Sequence, residues 1–354
     1  MNDFFMENDA DLRKFAAMSQ SVGRRCDYVQ GGGGNTSVKL SDGLMAIKAS
    51  GYCLKDITER NAYAVLNGKA IKTFFQDHSL SDFADAEKEG AAFVKEQIKV
   101  IEGLPQLRPS VEAGFHSLLD RFVIHSHSVY ANLAACTDEC RDIITKAFDG
   151  ASYAWGLVPY VDPGVQLSFY IRDEINRVES TCGMKPAVIV MQNHGLIVHS
   201  DEEETCLSLH EDANKRLASV FGLDEDVYPK VSIAEEKEGL LHSNTAYVKE
   251  QLLSGDYSLN QLLKEPLYPD QLVFFTGTLG ESVEIDWGTG AVDYHLPKKT
   301  AETMEETLTA VLFIMDHIRQ AGYHLATMGD AAKAFIANWE SEKYRKGLAG
   351  GSDT

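Results

Sequence analysis

Long apolar runs are missing from this chain. No stretch approaches the roughly 18 apolar residues of a membrane-spanning helix, so the sequence predicts no membrane span. The N-terminal segment Met1–Asp9 is acidic and lacks the basic region of a secretory signal, which predicts a cytoplasmic protein. The six cysteines are scattered along the chain, which is typical of reduced thiols rather than of a disulfide framework.

Basic residues are also scarce. The chain has 33 Lys and Arg against 53 Asp and Glu, and its formal net charge is −20. A field of this sign repels nucleic acids and anionic membranes, so the sequence predicts neither as a partner. The same field opposes a phosphorylated substrate. Any anion site must therefore be built locally, from backbone amides, a helix N-terminus, a metal and a few cationic side chains.

The glycine patterns of nucleotide-binding folds are absent. The run Gly31–Gly34 has neither the GxGxxG nor the GxxxxGK[ST] spacing, so we expect neither NAD nor ATP as a cofactor. Such a run alone could be a flexible linker. It is followed at once by Asn35-Thr36-Ser37 and a short apolar segment, which favours a loop whose amides cradle an anion.

Histidines are the most informative residues that the chain does contain. His125 and His127 lie in the apolar segment Phe122–His127, which predicts a strand. Because side chains alternate along a strand, both imidazoles would lie on one face. His194 follows a second apolar segment, 187–192, and precedes a glycine. Three such imidazoles can hold a divalent metal with one open coordination position, as catalytic metals require.

Simpler interpretations apply to each candidate taken alone. A lone buried histidine is usually a hydrogen-bonded core residue, and His199 and His210 are predicted to lie on the surface. Cys136 and Cys140 lack a second cysteine pair, which favours ordinary thiols at a helix. Glu112 alone would be a solvated helix residue. Glu112 lies about a dozen residues before the histidine pair. This gap has room for one helix, which could place the Glu112 side chain beside the metal.

The periodicity of apolar residues and the turn residues predict alternating helices and strands. Predicted helices cover residues 10–25, 81–99, about 110 onward, 138–148, 165–180, 200–222, 299–320 and 328–345. Predicted strands cover residues 38–40, 44–48, 63–66, 122–127, 187–192, 196–198 and 272–276, with hairpin turns at 41–43 and 67–68. The composition becomes charged around residues 223–245, which predicts domains at 1–225 and 226–354 and a frayed tail at 347–354.

Five segments together resemble the sugar-phosphate aldolases of the class II aldolase/adducin family. The resemblance covers about residues 8–222 and follows the order and rough spacing of the family, although each segment is short. The matching segments are residues 34–39 (GNTSVK), 48–51 (KASG), 109–112 (PSVE), 125–127 (HSH) and 193–197 (NHGLI).

This resemblance implies a fold, a cofactor and an assembly. The fold would be a three-layer α/β/α structure with a mainly antiparallel central sheet, followed here by a smaller α+β extension of unknown role. One divalent metal per chain, usually zinc, would be held by His125, His127 and His194. Glu112 would be the catalytic acid and base. The family also implies a homotetramer with active sites at subunit interfaces.

The resemblance further implies a phosphate site, in which this chain departs from the family. The residues implied or suggested for substrate binding are Gly34, Asn35, Lys48, Ser50, Gly51 and Ser110. Fuculose-phosphate-type aldolases have a second serine where this chain has Val111, which removes one hydroxyl. Lys48 and Arg108 are candidates to replace it, unless the substrate carries a different anion. The family also implies a tyrosine from a neighbouring subunit that protonates the substrate. The region that carries it does not align with this sequence, and the candidates are Tyr130, Tyr153 and Tyr160.

The implied reaction is cleavage of a ketose phosphate through an enediolate that the metal stabilises. Alternatives on the same scaffold are 4-epimerisation of a pentulose phosphate and dehydration of a sugar phosphate. The related epimerases carry Asp in place of Glu112, which favours cleavage. A non-enzymatic, adducin-like interaction module would be expected to lose the metal ligands that this chain retains.

Overall fold

The computed structural model describes residues 4–224, 227–237 and 240–336, and for residues 236–237 the backbone alone. The chain forms two units. The first comprises Met1–Ala135 and Cys140–Asp224, and the second comprises Cys136–Glu139 and Glu225–Thr354. Within the described residues, no helix is both long enough and apolar enough to cross a membrane.

An eight-stranded sheet forms the centre of the first unit, in the order β4-β3-β2-β1-β5-β8-β7-β6. The strands are β1 Asn35–Lys39, β2 Leu44–Lys48, β3 Tyr63–Asn67, β4 Ile98–Lys99, β5 Phe122–Ser126, β6 Ala154–Val158, β7 Pro186–Met191 and β8 Gly195–Ser200. Neighbours are antiparallel except β6 and β7, which are parallel. The predicted mainly antiparallel sheet is therefore confirmed.

Two groups of helices pack against this sheet. One group consists of α2 Gly68–Asp77, α3 Ala86–Glu96, α4 Ala113–Leu118 and α7 Val165–Cys182. The other consists of α1 Phe4–Gly23, α5 Val129–Ala135, α6 Cys140–Ala147 and α8 Glu203–Val220. The core under the first group includes Phe75, Phe115 and Phe169 against Val123 and Ile197 of the sheet. Burial of these large side chains supplies most of the driving force for this packing.

The register of three strands gathers distant segments at one edge of the sheet. Asn35, the first residue of β1, lies opposite His125 in β5. Ser126, the last residue of β5, lies opposite Leu196 near the start of β8. Because both neighbours run antiparallel to β5, the end of β5 meets the beginnings of β1 and β8.

The second unit contains a four-stranded antiparallel sheet in the order β11-β12-β10-β9. Its elements are β9 Ile233–Lys237, β10 Leu240–Ser243, α9 Ala246–Leu253, α10 Leu259–Lys264, α11 Pro269–Phe275, β11 Val283–Asp286, β12 Ala291–Tyr294, α12 Lys298–Gln320 and α13 at residues 330–336. The long helix α12 packs on α9, α11, β9 and β10. The predicted smaller α+β extension is confirmed.

Two predicted elements are wrong for identifiable reasons. The predicted hairpin turn at 67–68 is the start of α2, where the Asn67 side chain accepts a hydrogen bond from Ala70 N at 3.1 Å and caps the helix. The predicted strand 272–276 is part of α11, with Pro269 in the first helical turn. Both Asn-Gly and a short apolar run are ambiguous signals, which tertiary packing resolves.

Several helices also differ from their predicted boundaries or were not predicted. The predicted helix 81–99 is shorter, because residues 98–99 form β4, and α5 was not predicted at all. The helix expected from about residue 110 begins at Ala113 and follows Glu112 as its N-cap residue. Of the predicted helix 328–345, residues 330–336 are helical, and the remainder, like the tail 347–354, lies outside the described residues.

Candidate metal site

Three histidines converge at the sheet edge where β5, β1 and β8 meet. His125 is the fourth residue of β5, His127 follows the end of that strand, and His194 lies in the turn between β7 and β8. One ring nitrogen from each histidine lies within 4.8 Å of the others, and all three side chains are buried. The Nε2 atoms of His125 and His127 are 3.2 Å apart. Such a group could hold one divalent metal ion.

A backbone hydrogen bond orients the His125 ring, and the backbone of the β7–β8 turn places His194. His125 Nδ1 donates to Leu196 O at 3.1 Å, which leaves the Nε2 lone pair facing the other histidines. The turn that carries His194 requires Gly195, whose φ is +159°. A Cβ atom at Gly195 would lie 2.3 Å from Ser126 O. Glycine is therefore what allows β8 to begin so close to β5.

The histidine cluster can bind a cation when its imidazoles are neutral, because a neutral ring has a nitrogen lone pair to offer. Burial, reinforced by His125 and His127, holds the pKa of His194 well below its usual range. A neutral imidazole is the form that binds metals. Within the described residues, His194 Nδ1 has no hydrogen-bond partner although it is buried. Three nitrogen donors of this kind fit zinc and related divalent ions.

The Glu112 carboxylate faces this cluster. Its Oε1 lies 3.4 Å from His194 Nε2, and its Oε2 lies 3.5 Å from His125 Nε2. Oε2 also accepts a hydrogen bond from Asn35 Nδ2 at 2.6 Å. Oε1 is buried and accepts no hydrogen bond from the described residues. A buried carboxylate oxygen without a donor fits a site that is completed by a further group.

The start of α4 places Glu112. Glu112 is the N-cap residue, and its backbone N donates to Ser110 Oγ at 3.3 Å. The same hydroxyl oxygen accepts a hydrogen bond from Asn35 Nδ2 at 3.1 Å. Ser110, Asn35 and Glu112 thus form one hydrogen-bonded group beside the histidines.

The other predicted substrate-binding residues lie on two loops that run side by side. Ser50 N donates to Arg108 O at 2.8 Å, and Ser110 N donates to Lys48 O at 3.0 Å. The Lys48 side chain is buried, and its Nζ donates to Gly32 O at 3.0 Å. Lys48 therefore ties the glycine run to β2, whereas the Arg108 side chain is exposed.

The two predicted glycines differ in their surroundings. Gly34 has φ +64°, and a Cβ atom there would lie 2.6 Å from His125 O and 3.0 Å from Val29 Cγ1. Gly51 has φ +87° and is exposed, and a Cβ atom there would meet nothing within 4 Å. The structure therefore packs Gly34 directly against the β5 histidine and leaves Gly51 open.

We expect Gly34→Ala to destabilise the protein by about 2–4 kcal/mol, because it adds a steric clash to the strain of a positive φ. Gly51→Ala is the matched control, since it adds strain alone and should cost about 1 kcal/mol. Urea unfolding of both variants measures the difference. Equal free energies of unfolding would contradict the close packing of Gly34.

The three candidate tyrosines are each engaged by a carboxylate outside the cluster. Tyr153 OH donates to Asp212 Oδ2 at 2.7 Å, and Tyr160 OH donates to Asp162 Oδ1 at 3.1 Å. Tyr130 is fully buried and is hydrogen-bonded to Asp27. Burial and these carboxylates raise the pKa of all three phenols.

Two histidines were predicted wrongly as surface residues. His199 and His210 are both 1% exposed. His199 lies between Asp120 Oδ2 and Pro186 O, each 2.8 Å from a ring nitrogen. His210 Nε2 lies 2.8 Å from the hydroxyl of Ser126, the residue between the two β5 histidines. The 3.6-residue periodicity of α8 was the signal that could have found His210. Its buried side chains are Cys206, His210, Ala213, Asn214 and Leu217.

His210 should make stability depend on pH. Burial lowers the pKa of His210 to about 3, from about 6.5 in an unfolded chain. Between these values the unfolded chain binds a proton that the folded protein excludes, so the free energy of unfolding falls as the pH falls. We expect His210→Gln to reduce this slope by up to about 1.4 kcal/mol per pH unit. Urea unfolding of metal-free protein between about pH 4.5 and 6.5 tests this, and an unchanged slope would contradict it.

The model of the class II aldolase and adducin N-terminal domain matches residues 13–220, which is more than half of the chain and includes every residue of the site. The chain belongs to this family. Family membership agrees with the order of the five segments and with the mainly antiparallel sheet. No curated protein matches the chain.

Solved structures of class II aldolase domains are distant from this chain. The N-terminal class II aldolase domain of a conserved protein from Thermoplasma acidophilum is 24% identical, with a TM-score of 0.49 and coverage of 60% of this chain and 93% of that one. A sugar-phosphate aldolase from Thermotoga maritima is 11% identical, with a TM-score of 0.42 and coverage of 60% and 94%. The L-fuculose-1-phosphate aldolase from Thermus thermophilus is 12% identical, with a TM-score of 0.37 and coverage of 62% and 95%.

Proposed function

We propose that this class II aldolase family member is a metal-dependent lyase, which cleaves a ketose phosphate into a dihydroxyacetone-phosphate-like fragment and an aldehyde. The observation that carries this proposal is the buried Glu112 carboxylate, 3.4–3.5 Å from two of three converging imidazoles. Aldol cleavage needs a centre that stabilises negative charge on the substrate and a group that moves protons. The site offers residues for both tasks.

His125, His127 and His194 would hold the metal, most simply zinc, through the nitrogens that converge. When bound, a divalent ion supplies Lewis-acid stabilisation of the negative charge that develops on the substrate oxygens. The chain contributes three buried imidazoles, and burial favours the neutral form of His194 by lowering its pKa. Burial also excludes bulk water, which strengthens electrostatic interactions in the site.

Glu112 would act as the acid and base of the reaction. Asn35 holds one carboxylate oxygen, Oε2, through a hydrogen bond of 2.6 Å. The other oxygen, Oε1, lies on the side of His194 and accepts nothing from the described residues, so it is the atom that would take and return protons. A carboxylate held in this way meets the geometric requirement for general acid–base catalysis.

The substrate phosphate would lie beside the glycine run, against Ser50, Gly51 and Ser110. The Ser110 oxygen already accepts two hydrogen bonds, so its own hydrogen can be donated to an anion. Gly34 and Lys48 would shape this loop, one by close packing on β5 and the other by its bond to Gly32. Local donors of this kind would offset the repulsion of a chain with net charge −20.

We also propose that the protein is a homotetramer with its active sites at subunit interfaces, as the family resemblance implies. We propose a cytoplasmic location from the scattered cysteines and the acidic N-terminal segment. The main alternative reaction is 4-epimerisation of a pentulose phosphate, which uses the same cleavage logic. The presence of glutamate rather than aspartate at position 112 favours net cleavage. Retention of the whole histidine cluster argues against an adducin-like module without enzymatic activity.

Elemental analysis of the purified protein, followed by a substrate screen, tests the proposal. We expect about one zinc or similar ion per chain, and release of an aldehyde from at least one ketose phosphate. Interconversion of pentulose phosphates without aldehyde release would assign the alternative, epimerisation. Protein that neither retains metal nor gains it on reconstitution would overturn the lyase assignment.

A further inference from the structure

A chain of buried hydrogen bonds extends from Glu112 away from the histidine cluster. Glu112 Oε2 accepts from Asn35 Nδ2, and Asn35 Oδ1 is hydrogen-bonded to His116 Nε2. His116 Nδ1 lies 2.8 Å from Ser37 Oγ. All four side chains are at most 5% exposed.

The direction of each bond follows from the donors and acceptors present. The Asn35 amide nitrogen donates to both Glu112 Oε2 and Ser110 Oγ, so its oxygen faces His116 and can only accept. His116 Nε2 must then carry the hydrogen. Burial holds the pKa of His116 well below its usual range, so the ring is neutral and Nδ1 accepts from the Ser37 hydroxyl.

The His116 side chain is held in a fixed position within this series of hydrogen bonds. Its side chain is fully buried on α4, and its ring stacks on Phe115 with the ring centroids 4.7 Å apart. Its carbonyl oxygen accepts a hydrogen bond from Lys39 Nζ on β1. Asn35 and Ser37 also belong to β1, two residues apart. The imidazole therefore joins α4 to β1, the two elements that carry Glu112 and its partner.

Removal of His116 would leave the Asn35 oxygen buried without a donor. A buried polar atom in that condition costs free energy, so the amide would rotate or admit water. Either change releases Glu112 Oε2 from its 2.6 Å hydrogen bond. A reacting group that moves by about 1 Å can lose about 100-fold in rate. His125 would keep its hydrogen bond to Leu196 O, which does not involve His116, so we expect the histidine cluster to keep its metal.

We propose that His116 is a positioning residue, which fixes the Asn35 amide and thereby holds the Glu112 carboxylate towards the histidine cluster. The kinetic consequence rests on the proposed function, whereas the structural consequence does not. The ring nitrogens of His116 bond Asn35 and Ser37 rather than the histidine cluster, so we expect its effect on Glu112 to pass through Asn35.

Four variants separate this role from general destabilisation. His116→Phe keeps a ring of similar shape and removes both nitrogens. His116→Gln keeps a donor near the position of Nε2. His199→Phe is the matched control, because His199 is equally buried in the same unit but bonds Asp120 and Pro186 near the far end of β8. Ser37→Ala removes the hydroxyl that bonds His116 Nδ1. It tests the same series of hydrogen bonds if His116→Phe does not fold.

The measurements are metal content, a crystal structure of each variant, and kcat and KM. In His116→Phe we expect full metal content, a distance from Asn35 Nδ2 to Glu112 Oε2 beyond about 3.5 Å, and kcat lowered on the order of 100-fold with little change in KM. His116→Gln should restore the short distance and most of kcat. His199→Phe should match the wild type, and Ser37→Ala should lower kcat less than His116→Phe.

Several results would overturn the proposal. These are an unchanged Asn35–Glu112 distance in His116→Phe, a His116→Gln variant as slow as His116→Phe, or an equal loss in His199→Phe. A rise in KM as large as the fall in kcat would do the same, because it would indicate lost binding rather than misplacement of Glu112. A wild type that cleaves no ketose phosphate would reject the proposed function, and the crystal structures would still decide the role of His116.

Discussion

His125→Ala protein is expected to lose its metal almost completely. The wild type should hold about one ion per chain, and removal of one of three imidazoles should weaken binding by more than the roughly 100-fold that loss of a supporting residue can cause. His125 lies at the centre of the cluster, 3.2 Å from His127 and 3.5 Å from Glu112. Turnover should disappear with the metal, and reconstitution with zinc should not restore it.

His199→Ala is the control for this experiment. It also removes a buried histidine of the same sheet, but one whose nitrogens bond Asp120 and Pro186 rather than a metal. We expect it to keep the wild-type metal content. Metal analysis by mass spectrometry, on protein dialysed in parallel, provides the comparison. Retained metal in His125→Ala, or equal loss in both variants, would contradict the assignment of the ligand.

Glu112→Gln is expected to separate metal binding from catalysis. Glutamine has the same shape and can still accept the hydrogen bond from Asn35, so the fold and the metal should be retained. It cannot move protons, and loss of a general acid–base group lowers kcat by about 10²–10⁴-fold. The readout is the rate of aldehyde release by protein whose metal content has been measured.

Glu112→Asp distinguishes the two candidate reactions. Its carboxylate is withdrawn by one methylene, so we expect a smaller loss of cleavage than in Glu112→Gln. The related epimerases carry aspartate at this position, and a gain of pentulose-phosphate epimerisation would show that the reaction depends on this side chain. Full turnover in Glu112→Gln would exclude the role proposed for Glu112.

Local sequence patterns predicted much of the fold of the first unit. The apolar segments that became β5, β7 and β8 are nearly continuous and bounded by glycine or polar residues, so their strands were predicted close to their observed positions. The same approach failed where one pattern fits two structures. Asn67-Gly68 can form a hairpin turn or cap a helix, and only the packing of α2 on the sheet and on α4 selected the cap.

The family and the kinds of residue at the site were determined by the sequence itself. Five short segments in order indicated the family, and three histidines with one glutamate indicated a metal and a proton carrier. Each of these signals is local, because it depends on residue type and on spacing within a few residues.

Tertiary structure decided how those residues are held. His116 contacts Asn35 across 81 positions of the chain, and Ser126 contacts His210 across 84. Neither contact leaves a pattern within one segment, because each depends on the register of β1 with β5 and on the face that α8 presents to the sheet. Hydrogen-bond partners between distant elements exist only once the strands are paired, so the orientation of Glu112 is a property of the folded sheet.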